Sequence, residues 1–216
     1  MIKFWSYKNE YKKINKKILK NIDITIKKGN IFFGDQINSF EKRFIRKYKS
    51  KYGVAVGSGT DALTISLLAL NLTKNDEIIT AANTAIPTIS AIITAGAKPR
   101  LVDIGNDYLI DHTKIEKIIN KNTKAIIPVH LYGQPCNMKE ILKIAKRFNL
   151  KIIEDCAQAQ NAKINKKYVG TFGEFGCFSF YPTKILGTYG DGGLILTNNF
   201  NFYKKIKRIR YYGIET

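Results

Sequence analysis

The sequence predicts an α/β fold, a mostly parallel seven-stranded sheet with helices on both faces. Two observations carry this expectation. From residue 50 onward, short β-rich apolar runs alternate with helical ones, the pattern of strands joined by helical crossovers. The chain has 216 residues, 44% hydrophobic and 12% aromatic, enough for one sizeable core. No repeat, low-complexity tract or linker interrupts the series.

Before residue 50 the pattern is helical. Tyr11, Ile14 and Ile18 fall at three- and four-residue spacing, and Phe40, Phe44 and Tyr48 repeat it after Gly34. Strands are expected at Gly53–Val56, Glu77–Ala81, Arg100–Asp103, Ala125–Val129, Lys151–Glu154, Cys177–Phe180 and Leu194–Thr197. Helices are expected at Asp61–Asn71, Pro87–Ala95, Thr113–Ile119, Met138–Phe148 and Phe200–Arg210.

Composition narrows the function. Cys136, Cys156 and Cys177 are the 3 cysteines, an odd number with no C-x-x-C pair, which supports neither a disulfide framework nor a cysteine zinc site, and no metal is expected. A reducing, cytoplasmic compartment is the expectation. The first residues lack a signal-length apolar run and no stretch holds 18 consecutive apolar residues, so no membrane partner is expected. The formal charge is +19, from 36 basic and 17 acidic residues, a value that first suggests nucleic acid or an anionic surface. The excess lies at the two ends, while residues 52–130 balance at 7 and 7. Lysine outnumbers arginine 30 to 6, although base and phosphate recognition favours the arginine fork. Solvated surface charge is the simpler reading, and no nucleic-acid partner is expected.

Open parallel sheets bind ligands beyond the carboxyl ends of their strands. The polar residues that follow each apolar run are therefore the candidates. Gly57-Ser58-Gly59-Thr60-Asp61 follows the first strand, Asp155-Cys156-Ala157-Gln158 the fifth, and Tyr181-Pro182-Thr183-Lys184 the sixth, with Ser179 just before. The glycine turn leads into a helix whose free N–H groups and dipole suit a phosphate. It matches G-x-G-x-x-A through Ala62, but the next strand ends Ala81-Ala82-Asn83 without the acidic residue a dinucleotide site needs, and the Gly-Lys-Ser/Thr of a Walker loop is absent. Taken alone, it also reads as a tight turn without ligand.

An ionised Asp155 at the end of an apolar strand needs a cationic partner. Lys184 lies in a setting expected to withdraw it from water, which would favour the neutral amine that attacks an aldehyde. An ion pair of Lys184 with Asp155 or Glu154 is the structural alternative for each residue alone. His130 reads as a packing residue at a strand end, since no carboxylate or nucleophile motif adjoins it. An anion cradle, a carboxylate and an amine together describe a pyridoxal 5'-phosphate site, with phosphate at Gly59-Thr60-Asp61 and Ser179, ring nitrogen at Asp155 and aldehyde carbon at Lys184.

Four ordered stretches carry a family likeness: Val56-Gly57-Ser58-Gly59-Thr60-Asp61-Ala62-Leu63, Ala125-Ile126-Ile127-Pro128-Val129-His130-Leu131-Tyr132-Gly133, Ile153-Glu154-Asp155-Cys156-Ala157-Gln158 and Phe178-Ser179-Phe180-Tyr181-Pro182-Thr183-Lys184. From about Gly34 to Gly213 the chain resembles the DegT/DnrJ/EryC1/StrS family of sugar aminotransferases. The resemblance implies a fold-type I pyridoxal-phosphate-dependent transferase, a homodimer, glutamate as amino donor and a nucleotide-linked keto sugar as acceptor, giving an amino sugar for surface polysaccharide or glycoside biosynthesis. It makes Lys184 the cofactor lysine and general acid/base, Asp155 the partner of the pyridine nitrogen, Gln158 a contact on the 3-hydroxyl side, and Gly59, Thr60, Asp61 and Ser179 the phosphate site. Tyr181-Pro182-Thr183-Lys184 followed by Gly190-Asp191-Gly192-Gly193 looks more like the branch acting on 3-keto sugars than the 4-keto branch. Ala85 stands where the family often has an aromatic residue on the cofactor ring, and Cys156 where it usually has alanine.

The resemblance also implies a division into amino-terminal helices over residues 1–50, packing on a cofactor-binding large domain over 51–216. A smaller carboxyl-terminal domain would follow, and without it weak cofactor binding and little transamination are expected. The alternative from another class is a non-catalytic regulatory protein that keeps the fold and binds nucleic acid or an anionic surface.

Overall fold

The structure is a computed structural model that describes residues 6–214. Contacts gather into two units, one up to Lys42 and one from Arg43. In the first, Ser6 caps helix α1 (Tyr7–Lys27) by accepting the Lys8 N–H at 3.3 Å. Helix α2 (Asp35–Tyr48) begins in this unit and ends in the next.

The second unit runs β1 (Tyr52–Val56), α3 (Gly59–Leu68), β2 (Glu77–Ala81), α4 (Ile86–Thr94), β3 (Lys98–Val102), α5 (His112–Ile118), β4 (Thr123–Ile127), a 3-10 turn (Leu131–Gly133), α6 (Met138–Arg147), β5 (Lys151–Asp155), a short hairpin β6 (Lys163–Ile164) and β7 (Lys167–Tyr168), β8 (Phe175–Ser179), β9 (Gly193–Thr197) and α7 (Phe200–Arg210). Seven strands form one sheet in the order β1-β9-β8-β5-β4-β2-β3. Strand β9 runs antiparallel to both its neighbours, and the other pairings are parallel. The step from β2 to β3 and the return from β3 to β4 run in opposite directions, so right-handed crossovers place α4 on one face and α5 and α6 on the other. Helix α3 packs against α4 and α7, and α5 against α6, as that division requires.

All seven expected strands are present. β3, β4 and β8 each begin two residues earlier than the sequence suggests. Pro99 falls inside β3, which is tolerable because β3 is an edge strand with N–H groups to spare. Pro128 ends β4 because it has no N–H to continue the ladder. The start of β8 is hidden by Gly173-Glu174-Phe175-Gly176, which reads as a turn. Glu174 instead accepts the Ile152 N–H at 2.7 Å and pins the two strands together. The hairpin β6–β7 leaves no periodic signal in the sequence because each arm has only 2 residues.

The central strands are buried on both faces, hence their continuous apolar runs: Ile78, Ile79, Ile126, Ile127, Ile153, Phe175 and Leu194 to Leu196 all lie in the core. Each such side chain contributes ~1.5–3 kcal/mol by leaving water. Phe44 and Tyr48 in the last turns of α2 stack at 4.4 Å and meet Phe178 edge-on at 5.0 and 4.9 Å, which explains the spacing seen in the sequence. No helix of the described residues is long and apolar enough to cross a membrane.

Candidate active site

The carboxyl ends of β1, β2, β4, β5 and β8 meet the start of the antiparallel β9 along one edge of the sheet. A cavity of about 300 Å³ opens there, lined by Ser58, Gly59, Thr60, Asp155, Gln158, Ser179 and Lys184 among others. Six of the seven expected site residues thus share one cavity.

Helix α3 starts in this wall. Ser58 takes an extended backbone and accepts the Asp61 N–H at 3.0 Å, and its carbonyl accepts the Ala62 N–H at 3.0 Å. The N–H groups of Gly59 and Thr60 have no protein partner among the described residues, so they are the donors left for an anion. Glycine at 59 is a packing necessity, since a Cβ there would lie 2.6 Å from the Cβ of Ser179. Gly193 meets the Ser58 carbonyl in the same way, so the turn is pressed onto β8 and β9. Ser179 is 6% exposed and accepts the Tyr181 N–H at 3.3 Å, which leaves its hydroxyl proton for a ligand. Asp61 stands apart. It does not line the cavity; its N–H is occupied by Ser58 and its carboxylate accepts the Ser58 hydroxyl at 2.9 Å.

Asp155 closes β5 and is 5% exposed. Its Oδ1 accepts the Ala157 N–H at 3.1 Å and its Oδ2 the Thr88 hydroxyl at 2.9 Å. Burial pushes this carboxyl above the ordinary range, against the pull of those two donors and of the Lys184 amine. The site therefore calls for a cation. An acid whose pKa rises on folding costs stability as pH climbs above its unfolded value of 3.8. Asp155→Asn, whose amide can still meet Ala157 and Thr88, is expected to melt higher than the wild type at pH 7 in the cofactor-free protein. A shift of about 2–4 °C corresponds to each 1 kcal/mol in a chain of this size. The gain should vanish as pH falls to the unfolded value, and thermal melts across pH check both halves.

Gln158 Oε1 accepts the Tyr132 N–H at 2.8 Å, which leaves its NH2 for a ligand. Tyr132 adopts φ 58° to present that N–H, in a turn helped by Gly133. Lys184 also faces the cavity, but the expected apolar burial is not found. It is half-buried, because Ile185 and Leu186 beside it are 73% and 51% exposed in a segment without regular structure.

The neighbouring polar groups are committed elsewhere. Glu154, fully buried, accepts the N–H groups of Gly170, Phe172 and Gly173 at 2.6–2.8 Å, so it is not a partner for Lys184. His130 accepts the Cys136 N–H on Nδ1 at 3.0 Å, so the neutral ring carries its proton on Nε2, 3.2 Å from Glu154. It is buried at the strand end, as the sequence suggested, but with the Glu154 carboxylate beside it, which the sequence did not show. Those bonds use the lone pairs that a metal on His130 and Glu154 would require. All three cysteines are free and buried, and burial pushes the Cys136 thiol up to about 12.

Sequence reasoning missed Gln160 and Thr88. Gln160, 6% exposed, donates to the Ser179 and Leu186 carbonyls at 2.6 and 3.3 Å and accepts the Leu186 N–H at 2.5 Å, tying the Lys184 segment to the end of β8. The only available signal was a second glutamine after Asp155, too weak to separate from a loop residue.

Comparison with known proteins agrees with this geometry. The profile of the DegT/DnrJ/EryC1/StrS aminotransferase family matches residues 12–216. The dTDP-3-amino-3,4,6-trideoxy-alpha-D-glucose transaminase of Micromonospora megalomicea subsp. nigra is 40% identical over 212 residues, 98% of this chain and 57% of that protein. The crystal structure of S. venezuelae DesV in complex with a ketimine intermediate superposes with a TM-score of 0.95 at 33% identity, covering 100% of this chain and 58% of that one. NtdA from Bacillus subtilis, crystallised with bound cofactor PMP, gives a TM-score of 0.88 at 37% identity over 93% of this chain and 45% of its own. The chain thus spans about half the length of such relatives. With its seven-stranded sheet, its cavity at the strand ends and a match over nearly its whole length, the chain belongs to the DegT/DnrJ/EryC1/StrS aminotransferase family.

Proposed function

We propose that this chain carries the cofactor site of a pyridoxal-phosphate-dependent aminotransferase that moves an amino group from glutamate to a nucleotide-linked 3-keto sugar. One observation carries the reading. Two free N–H groups at a helix start, a buried carboxylate and an amine line the same cavity of about 300 Å³, at the small end of the range for cofactor sites. The residues fit the group: Gly59 leaves the close approach a phosphate needs, and the strained charge of Asp155 needs a protonated nitrogen opposite it.

When bound, the cofactor supplies an electron sink for the pair released as a C–H bond breaks beside the amino nitrogen. The Gly59 and Thr60 N–H groups and the Ser179 hydroxyl hold the phosphate. Asp155 would hold a proton on the ring nitrogen, and the Gln158 NH2 would be the donor for the 3-hydroxyl side. The Lys184 amine would hold the cofactor through its aldehyde carbon and, when free of it, would take up and return the proton at the reacting carbon. Asp61 secures the turn through Ser58. The buried apolar side chains Leu63, Val129 and Leu131 form part of the cavity wall and would exclude water from it.

The 3-amino product in the name of the Micromonospora relative supports a 3-keto acceptor. Ile86, Tyr181, Ile185 and Tyr189, exposed at 82, 51, 73 and 51%, support a homodimer that covers the rim. Free buried cysteines fit an enzyme of the reducing cytoplasm. The test is to supply glutamate with a nucleotide-linked 3-keto or 4-keto sugar and follow 2-oxoglutarate. Release with the 3-keto sugar is expected; turnover of the 4-keto sugar alone would overturn the acceptor assignment, and none with either would overturn the activity.

Gly59→Ala should weaken pyridoxal phosphate binding about 10- to 100-fold, the worth of one charged hydrogen bond lost as the turn moves off Ser179. Absorbance titration with the cofactor measures it.

A further inference from the structure

Thr88 is fully buried in the first turn of α4, and among the described residues its hydroxyl bonds two side chains. Its hydroxyl donates to Asp155 Oδ2 at 2.9 Å and accepts the Thr84 hydroxyl at 2.8 Å. The direction is forced by chemistry. An ionised carboxylate can only accept, so Thr88 must give it a proton, and its own lone pair is then free for Thr84. The bond occupies Oδ2 from the α4 side while the Ala157 N–H holds Oδ1. Pro87 at the helix start fixes the local backbone, and the amino end of the helix favours a negative charge nearby.

We propose that Thr88, oriented by Thr84, is a positioning residue that keeps the Asp155 carboxylate ionised and turned to the cavity. What the carboxylate then holds there, a protonated ring nitrogen, rests on the function proposed above; the relay itself does not. Burial works against the charge, and the hydroxyl is one of the few groups opposing it. The titratable groups around Asp155 are Lys184 and Asp191 on the cavity wall, His130 and Glu154 behind it, and the thiols of Cys156 and Cys177. None of them is altered by a change at Thr88.

The experiment follows the Asp155 side-chain carbon by NMR in the cofactor-free full-length protein labelled at aspartate, across pH. Thr88→Val, which keeps the shape and removes the hydroxyl, should raise the Asp155 midpoint by about 0.4–1 pH unit. Thr88→Ser should leave it in place, and Thr84→Val should raise it by less. If Thr88→Val does not fold, the other two variants still decide. A midpoint unmoved by removing either hydroxyl, or Thr88→Ser shifting as far as Thr88→Val, would overturn the proposal. In the loaded enzyme the same loss should lower kcat about tenfold with the KM for glutamate little changed, restored by serine. A wild type that binds no pyridoxal phosphate would refute the proposed function and leave the titration readable.

Discussion

Lys184→Ala is expected to abolish the absorption band at the edge of the visible that pyridoxal phosphate gives when joined to an amine. It should lower amino transfer by on the order of 10⁴–10⁶-fold, the scale seen when a covalent catalyst loses its nucleophile. The argument is positional. Lys184 lies among the residues that line the cavity together with Asp155, Gln158 and the start of α3, and among the described residues no other lysine does. Its segment is held from behind by Gln160 through both the N–H and the carbonyl of Leu186, so the amine is delivered to the cavity by a fixed backbone. Lys184→Arg keeps the charge and removes the amine nucleophile, and it should fail equally. Phosphate anchoring by Gly59, Thr60 and Ser179 does not pass through Lys184, so weak binding of the free cofactor should persist. Full activity in Lys184→Ala would remove the covalent role.

Asp155→Asn is expected to lower turnover about 100- to 1000-fold, the cost of roughly 2.7–4 kcal/mol when a charge-stabilising group leaves an active site. The amide can replace the carboxylate in its bonds to Ala157 and Thr88, and the fold should survive. It cannot hold a proton on a ring nitrogen, and there the loss arises. The same substitution that weakens the enzyme should stabilise the cofactor-free chain at neutral pH, because it removes a desolvated charge. Stability and catalysis move in opposite directions at this residue, which separates a catalytic carboxylate from a structural ion pair. Turnover is measured as 2-oxoglutarate released from glutamate, and near-normal rates would show that Asp155 does not hold the ring proton.

The strands and the main site residues were legible because burial writes itself into a parallel sheet. Each central strand is a continuous apolar run, and its carboxyl end is marked by the first polar residue that follows. Asp155 and the turn at Gly59 are legible in this way and Ser179 by lying just before the stretch that carries Lys184, and the structure brings them to one cavity. Lys184 was found too, but its half-burial was not, because exposure depends on what covers Ile185 and Leu186 rather than on their hydrophobicity. Thr84 and Thr88 could not be singled out. Threonines near a helix start are common as backbone partners, and only the fold shows that the hydroxyl of Thr88 meets a carboxylate from a distant strand. Asp61, singled out by the motif, proves to be bound to Ser58 in its own turn.

The most direct test of the pyridoxal phosphate assignment is to add the cofactor to the full-length protein, reduce with borohydride and map the modified residue. The chain offers 30 lysines, most of them on its surface, so the outcome discriminates sharply. A single stoichiometric modification at Lys184, lost when Gly59 is replaced by a larger residue, is the expected result. Modification scattered over other lysines, or none at Lys184, would contradict the account.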